Sequence, residues 1–518
     1  MTLEATEPVL APPAPVGPAP GRTRRAVMTW AAGAIYSLTT ILVGFVTTPI
    51  LLRMLGPDRI GAHRAVGEWL GYLMLADLGL ASAFGVLLVR ARRTSLDQTA
   101  AVARFALRAM SAIMLLIAPA GLLLAWFMPR LVRIDPVLVN ELRRAAVVGA
   151  LGLLFVPLGV FRSVLETGQR GYRVNAALMA QSLVITGLSL LLAWIGWGLI
   201  GLAVATVAGA FVFTAMTLWW GVRHFGPSWR IASTARIPLR ELWSLSWPLA
   251  AAGAGNRLNL MTDAVVVGYF LDSSHVAVLF LTQRVILLCA AQVNALGNAT
   301  WAALAELLAH GRIDVVESRL AEITRLIVGG GTVLVGTVAA YDAHFVRLWV
   351  GSSMYGGDLL AALTVASLVT FGFLCVFSWV IDTQGDTRHR LLVSSIGSVL
   401  NVLLSILFVK RIGLAGVALG TLCAYLLTDA WYCPLLVCRR YGVRARAIVA
   451  AILRGLGAGL PWALVIWWFA RRHAPPGRWV GFFTEAAVVG VLALVYCWFA
   501  ILTPAERTEW QARLQARN

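Results

Sequence analysis

Arg257 stands near the middle of a long apolar run, 243–270, with Asn256, Asn259 and Asp263 at helical spacing around it. At 1.5 Å per residue, a helix over that run places Arg257 roughly 20 Å from each end. An ionisable side chain at that depth costs several kcal/mol unless it faces a cavity or a partner, roughly whatever the host helix. The next run, 276–301, carries Arg284, Gln292, Asn294 and Asn298 at roughly helical spacing. Guanidinium forks bind phosphate oxygens bidentately and stay charged when desolvated. Amides suit hydroxyls. Two neighbouring helices would therefore present donors for a polar, anionic ligand. Asp263 leaves a second reading open, in which it pairs with one of the arginines as a structural ion pair.

Other polar residues sit at the ends of apolar runs. Arg53 follows the first run, where it either meets a ligand or snorkels to a headgroup. Asp77 lies within the second run, as a helix-end packing residue or a gating contact. Glu166 and Asp382 close the fourth and tenth runs beside Arg170, Arg173, Arg388 and Arg390. They suit a gate or a loop salt-bridge network. No catalytic residue is expected: the seven histidines fall in loops or at run ends, without a nucleophile–base or metal spacing. The six cysteines lie in or beside apolar runs and show no metal-ligand spacing. No GxxxxGK[ST] string occurs, so neither a metal nor a nucleotide cofactor is implied.

These residues need elements that hold them inside a bilayer. The chain has 518 residues, 59% hydrophobic and 13% charged, with a mean hydropathy of +0.80. Soluble domains are about one quarter charged. The net charge of +19 does not indicate nucleic acid, because the arginines are spread between long apolar runs. Fourteen runs are long enough to cross the hydrocarbon: 27–51, 66–89, 104–128, 145–165, 172–195, 198–220, 243–270, 276–301, 321–340, 358–381, 391–409, 413–437, 447–470 and 479–502. The expected fold class is an all-α polytopic membrane protein with 14 transmembrane helices. Pro49, Pro119, Pro157 and Pro248 would bend their spans. Basic residues are about twice as many in the segments on the side holding the N-terminus as in those on the other side, which puts both termini in the cytoplasm. Residues 1–25 and 503–518 read as cytoplasmic tails, the first Pro- and Ala-rich and disordered.

A repeat organises the spans. Trp197-Gly198-Leu199-Ile200-Gly201-Leu202-Ala203 returns as Ile412-Gly413-Leu414-Ala415-Gly416-Val417-Ala418, and Thr206 returns as Thr421 at the same offset. Val164-Leu165-Glu166-Thr167 returns as Val380-Ile381-Asp382-Thr383 one residue further on. Residues 26–220 and 241–437 are thus expected to be two six-helix bundles. An even span number makes them parallel repeats around a central cavity. Residues 447–502 add two helices outside the repeat.

Four strings carry a family resemblance: Thr48-Pro49-Ile50-Leu51-Leu52-Arg53-Met54-Leu55-Gly56-Pro57, Leu75-Ala76-Asp77-Leu78-Gly79-Leu80, Gly268-Tyr269-Phe270-Leu271 and Phe345-Val346-Arg347-Leu348-Trp349-Val350-Gly351. In order and spacing, over about 26–440, they resemble the multidrug/oligosaccharidyl-lipid/polysaccharide exporter superfamily, and within it the Wzx-like flippases. The resemblance implies a substrate of oligosaccharide on polyprenyl pyrophosphate. That substrate would pass from the inner to the outer leaflet of a bacterial cell membrane by alternating access, among membrane lipids. Glycosyltransferases or a polymerase of the same pathway are the implied partners. Arg257, Arg284, Asn256, Asn259, Asp263, Asn294, Asn298 and Arg53 are then the candidate substrate residues, and Asp77, Glu166 and Asp382 the candidate gating residues. The rivals are a multidrug/cation antiporter and a peptidoglycan-precursor lipid flippase of the same superfamily. The first span holds no Asp or Glu, which departs from the acid-coupled drug exporters. A membrane glycosyltransferase or polymerase fits poorly, because no loop between spans is long enough for a catalytic segment.

Overall fold

The computed structural model describes residues 22–230, 237–383, 387–473 and 477–515, and no strand occurs among them. Eighteen α-helices follow in chain order. In the first half these are α1 (Arg22–Leu73), α2 (Leu80–Thr94), α3 (Leu96–Leu131), α4 (Val139–Leu151), α5 (Val160–Thr167), α6 (Gly171–Trp194) and α7 (Gly198–Phe225). The second half holds α8 (Leu239–Phe270), α9 (Ser273–Ala309), α10 (Ile313–Arg325), α11 (Gly331–Trp349), α12 (Asp358–Thr383), α13 (Thr387–Ile412), α14 (Ala415–Leu427) and α15 (Asp429–Tyr441). Then come α16 (Ala445–Arg472), α17 (Trp479–Tyr496) and α18 (Pro504–Gln515).

Leucines that water would not tolerate stand on the outside: Leu115 is 77% exposed and Leu116 78%. Such a rim belongs against acyl chains, where helices alone satisfy their own backbone. Among the described residues, twelve helices are long and apolar enough to cross a membrane. Two of the fourteen expected spans are not in that set. One is 66–89, which the structure breaks in two. The other is α8, which at 32 residues is long enough but carries the polar stretch from Asn256 to Asp263. Apolarity alone therefore does not return the expected fourteen.

The helix ends follow from local chemistry. α1 is too long for one crossing and turns at Gly56, where φ is 78°. Glycine tolerates that left-handed value, and Pro57 presets the helix that resumes after it. The expected second span continues from there and breaks again after Asp77. A 3-10 turn, Met74–Asp77, leads into left-handed Leu78 and Gly79. Asp77 Oδ1 accepts the Gly79 N–H at 2.8 Å, closing the turn. A Cβ on Gly79 would collide with the Ser246 carbonyl of α8, so the break lies where the two halves cross. α4 and α5 are one span joined by a 3-10 stretch through Pro157. α10 and α11 are one span joined by a π turn, Leu326–Gly330.

The duplicated turn is built twice in the same way. α6 reaches α7 through Gly196 and Gly198, both at positive φ, and α13 reaches α14 through Gly413, also at positive φ. Three residues after Gly198 and after Gly413, a glycine meets the preceding helix. A Cβ on Gly201 would press on Leu192, and one on Gly416 would run into the Phe408 backbone.

The halves are joined on the face where α1 turns at Gly56. Ser273 Oγ donates to Asp58 Oδ1 at 2.9 Å. Arg133 N–H donates to the Gly268 carbonyl and Ser273 N–H to the Arg133 carbonyl, both at 2.9 Å. Nearby, Trp349 Nε1 donates to the Phe45 carbonyl at 2.7 Å, and the two rings stack at 5.7 Å with 6° between planes. Trp479 meets Phe45 edge-on at 5.4 Å. On the other face α18 folds back onto α10. Buried Arg325 pairs with Glu506 and donates to the Ile501 carbonyl at 2.8 Å, while Arg319 pairs with Glu509 at 2.8 Å.

Candidate substrate site

A cavity of about 570 Å³ lies between the halves, walled by the part of α1 beyond Gly56 together with α8, α9, α12 and α14. Its polar lining comes from Arg64, Glu68, Asp263, Gln283, Arg284 and Asn294, with Thr364, Thr421 and Tyr425 beside them. Three residues expected from spacing, Asp263, Arg284 and Asn294, thus share one chamber. The side chains of Asn256, Arg257, Asn259 and Asn298 lie outside the described residues, although α8 and α9 run through those positions.

Arg284 and Arg64 converge on one ring: each guanidinium carbon is 5.1 Å from the centroid of Phe280. Ring faces hold cations without neutralising them. Arg64 also reaches Glu68 at 2.8 Å, one turn along α1. Arg284 has no carboxylate partner among the described residues. It reaches instead toward the first stretch of α1, where a Cβ on Gly44 would come within 3.3 Å of its terminal nitrogen. Asp263 lines the same cavity, yet its Oδ1 is buried without a hydrogen-bond partner. The ion pair between Asp263 and Arg284 that the sequence left open is not formed. Between them, Tyr72 and Thr262 join α1 to α8 through a 2.9 Å hydroxyl contact.

Asn294 is admitted by a missing side chain. A Cβ on Gly372 of α12 would collide with Asn294 Oδ1. Glycine at that crossing is what leaves room for the amide beside the cavity.

The remaining expected residues lie elsewhere. Arg53 is exposed three residues before Gly56 and is not in the cavity lining. Asp77 is committed to the turn that ends with Gly79. Glu166 pairs with Arg162 at 2.8 Å, one turn back on the same helix, rather than with Arg170 or Arg173. That is the cheaper partner, since it needs no rearrangement of the loop. The Asp382 side chain lies outside the described residues.

Arg64, Glu68 and Gln283 were missed from sequence. The second span was expected to begin at residue 66, which left Arg64 in a loop. The available signal was the Arg64–Glu68 spacing of four, a helical ion-pair interval continuous with the apolar run.

The model of one family, polysaccharide biosynthesis protein, matches residues 29–302, just over half of the chain. No curated protein matches it. Among solved structures it is similar to the lipid II flippase MurJ in an inward closed conformation, with a TM-score of 0.69 at 14% identity, covering 90% of this chain and 97% of that one. It is also similar to an inward-facing multidrug resistance MATE family transporter of the MOP superfamily, with a TM-score of 0.53 at 15% identity, covering 84% of this chain and 98% of that one. At such identities the likeness is one of fold.

Proposed function

The chain belongs to the polysaccharide biosynthesis protein family of the multidrug/oligosaccharidyl-lipid/polysaccharide exporter superfamily, and from that premise we propose that it flips polyprenyl-pyrophosphate-linked oligosaccharide from the inner to the outer leaflet. The observation that carries this reading is the pair Arg64 and Arg284, gathered over Phe280 in a chamber between the halves. A guanidinium without a carboxylate partner in the membrane interior needs a counter-anion, and a pyrophosphate supplies one. Gln283 and Asn294 beside it can meet sugar hydroxyls.

The polyprenyl chain needs an apolar path. A groove of about 770 Å³ lies between α11, α12 and α16, lined by residues such as Val369, Leu460 and Leu464. Its size and apolarity suit a lipid tail. With α1 beginning in the cytoplasm, the contacts around Gly56, Ser273 and Trp349 form the outer seal. Alternating access then requires those contacts to break as the halves rock. With Arg64 paired to Glu68, the Arg284 guanidinium, which has no carboxylate partner among the described residues, favours an anionic cargo over the cationic drugs of the antiporter reading. A peptidoglycan-precursor lipid presents the same pyrophosphate and is separated from the first reading by its headgroup.

The test is leaflet translocation in proteoliposomes, using a polyprenyl-pyrophosphate glycan and, in parallel, a peptidoglycan-precursor lipid. Transport of the first in preference to the second supports the reading. Transport of neither, by protein that is folded and inserted, overturns it.

A further inference from the structure

Away from the central chamber, on the face where α1 begins, basic side chains from four helix ends converge. Arg25 stands in the first turn of α1, Arg92 in the last turn of α2, Arg170 and Arg173 at the start of α6, and His224 in the last turn of α7. The four arginines are the leading charges felt at His224. Arg173, Arg25 and Arg92 are likewise felt at Arg170, where burial and then these neighbours hold the guanidinium below its ordinary basicity.

The four arginines are held in different ways. Arg92 donates to the Thr167 carbonyl at 2.5 Å and the Gly168 carbonyl at 3.5 Å, so it fixes the α5–α6 turn. Arg173 rests on the rings of Tyr172 and Trp220 at 5.9 and 5.8 Å. Among the described residues, Arg25, Arg170 and Arg173 have no carboxylate partner. Two acids on adjoining helices are taken by other arginines: Glu166 by Arg162 at 2.8 Å and Glu241 by Arg90 at 3.6 Å. His224 Nδ1 is buried with no hydrogen-bond partner. Charges placed only to orient a membrane protein can spread apart to lower their repulsion. These are instead drawn together around a buried nitrogen, the arrangement that an oxyanion stabilises.

We propose that Arg25, Arg170, Arg173 and His224 form a second anion site, which takes the phosphate of a lipid headgroup from the leaflet on that face. The ligand is recognised as a phosphate diester or diphosphate at the membrane surface. Its source is a resident anionic phospholipid or the arriving cargo. A phosphate seated there would bridge α1, α6 and α7 and hold the first bundle together at that face.

The experiment measures binding of phosphatidylglycerol to the detergent-solubilised full chain by native mass spectrometry, with phosphatidylcholine as the control and inorganic pyrophosphate as competitor. Wild type is expected to retain phosphatidylglycerol over phosphatidylcholine. Arg170→Gln/Arg173→Gln is expected to weaken that binding about tenfold, equal to about 1.4 kcal/mol. Displacement by pyrophosphate supports recognition of the phosphate alone. Binding that is lost in the variant yet resists pyrophosphate supports the lipid as the source. Should the double variant fail to fold, Arg25→Gln, at an exposed helix start, takes its place, with a loss of affinity at high salt as the companion readout. Equal binding of both lipids by wild type overturns the site, as does unchanged affinity in the variants. Arg284→Ala should leave phosphatidylglycerol binding intact, which separates this site from the central chamber.

Discussion

Arg284 combines burial, a ring contact and the lack of a carboxylate, and each has a consequence for its substitution. Arg284→Ala removes a charge that pairs with no carboxylate among the described residues, so the folded protein should survive while glycolipid translocation falls about tenfold or more. Arg284→Lys keeps the charge but loses the planar fork, and should recover part of the rate. Near-normal translocation by Arg284→Ala would remove this residue from the site. Gly372 makes a steric prediction: Gly372→Ala drives a methyl into Asn294 Oδ1. Overpacking of this kind costs about 1–3 kcal/mol. Its signature should be a lowered thermal midpoint together with weakened substrate binding. The arginine and amides at helical spacing were legible in the sequence, because an ionisable group within an apolar run is rare. Arg64 was not, because the kink at Gly56 restarts a helix earlier than apolarity announces. Nor was the separation of Asp263 from Arg284, since whether two side chains on neighbouring helices pair depends on their rotation, which spacing leaves free.

Among the elements, breaks matter as much as helices. The turn at Asp77 puts left-handed backbone at the crossing of the halves, and Gly79 is the residue that permits it. Gly79→Ala should separate α2 from α8, seen as faster hydrogen exchange over residues 74–80. The motif around Asp77 was visible beforehand, but two roles fitted it equally. The hydrogen bond from Gly79 shows the Asp77 carboxylate closing the turn. α18 makes a prediction in pH. Burial acts against the Glu506 carboxylate, but bonds from Thr503 and Arg325 outweigh it and hold its pKa below the ordinary 4.5. A depressed carboxylate stabilises the fold at neutral pH, and that contribution is lost as pH falls below about 4.5. The thermal midpoint of wild type should therefore drop more steeply across that range than that of Glu506→Gln. Equal slopes would mean that α18 is held by something other than this pair.

For the whole molecule, the contacts around Gly56 join the halves on one face, the seal of the proposed transport cycle. Trp349→Ala deletes a stacked ring and a hydrogen bond to α1. Cross-linking of cysteines placed across the seal at positions 58 and 273 should become slower in that variant than in the otherwise unaltered protein. An unchanged rate would show that the backbone bonds through Arg133 suffice. The bilayer class, the helical fold and the recurring glycine turn were readable because apolar runs and local turn chemistry survive in one dimension. Which helices surround the chamber was not readable, since that depends on contacts between residues hundreds of positions apart. One such contact has a further effect. Gly455 and Gly459 of α16 lie directly against the backbone around Gly329, close enough that any larger side chain would wedge the helices apart. Helix and second bundle are thereby pinned backbone to backbone, and the greasy channel between them is one rigid part. If the bundles pivot, a hydrocarbon chain seated in that channel is carried along as a passenger, and only the short stretch leading to its headgroup need flex.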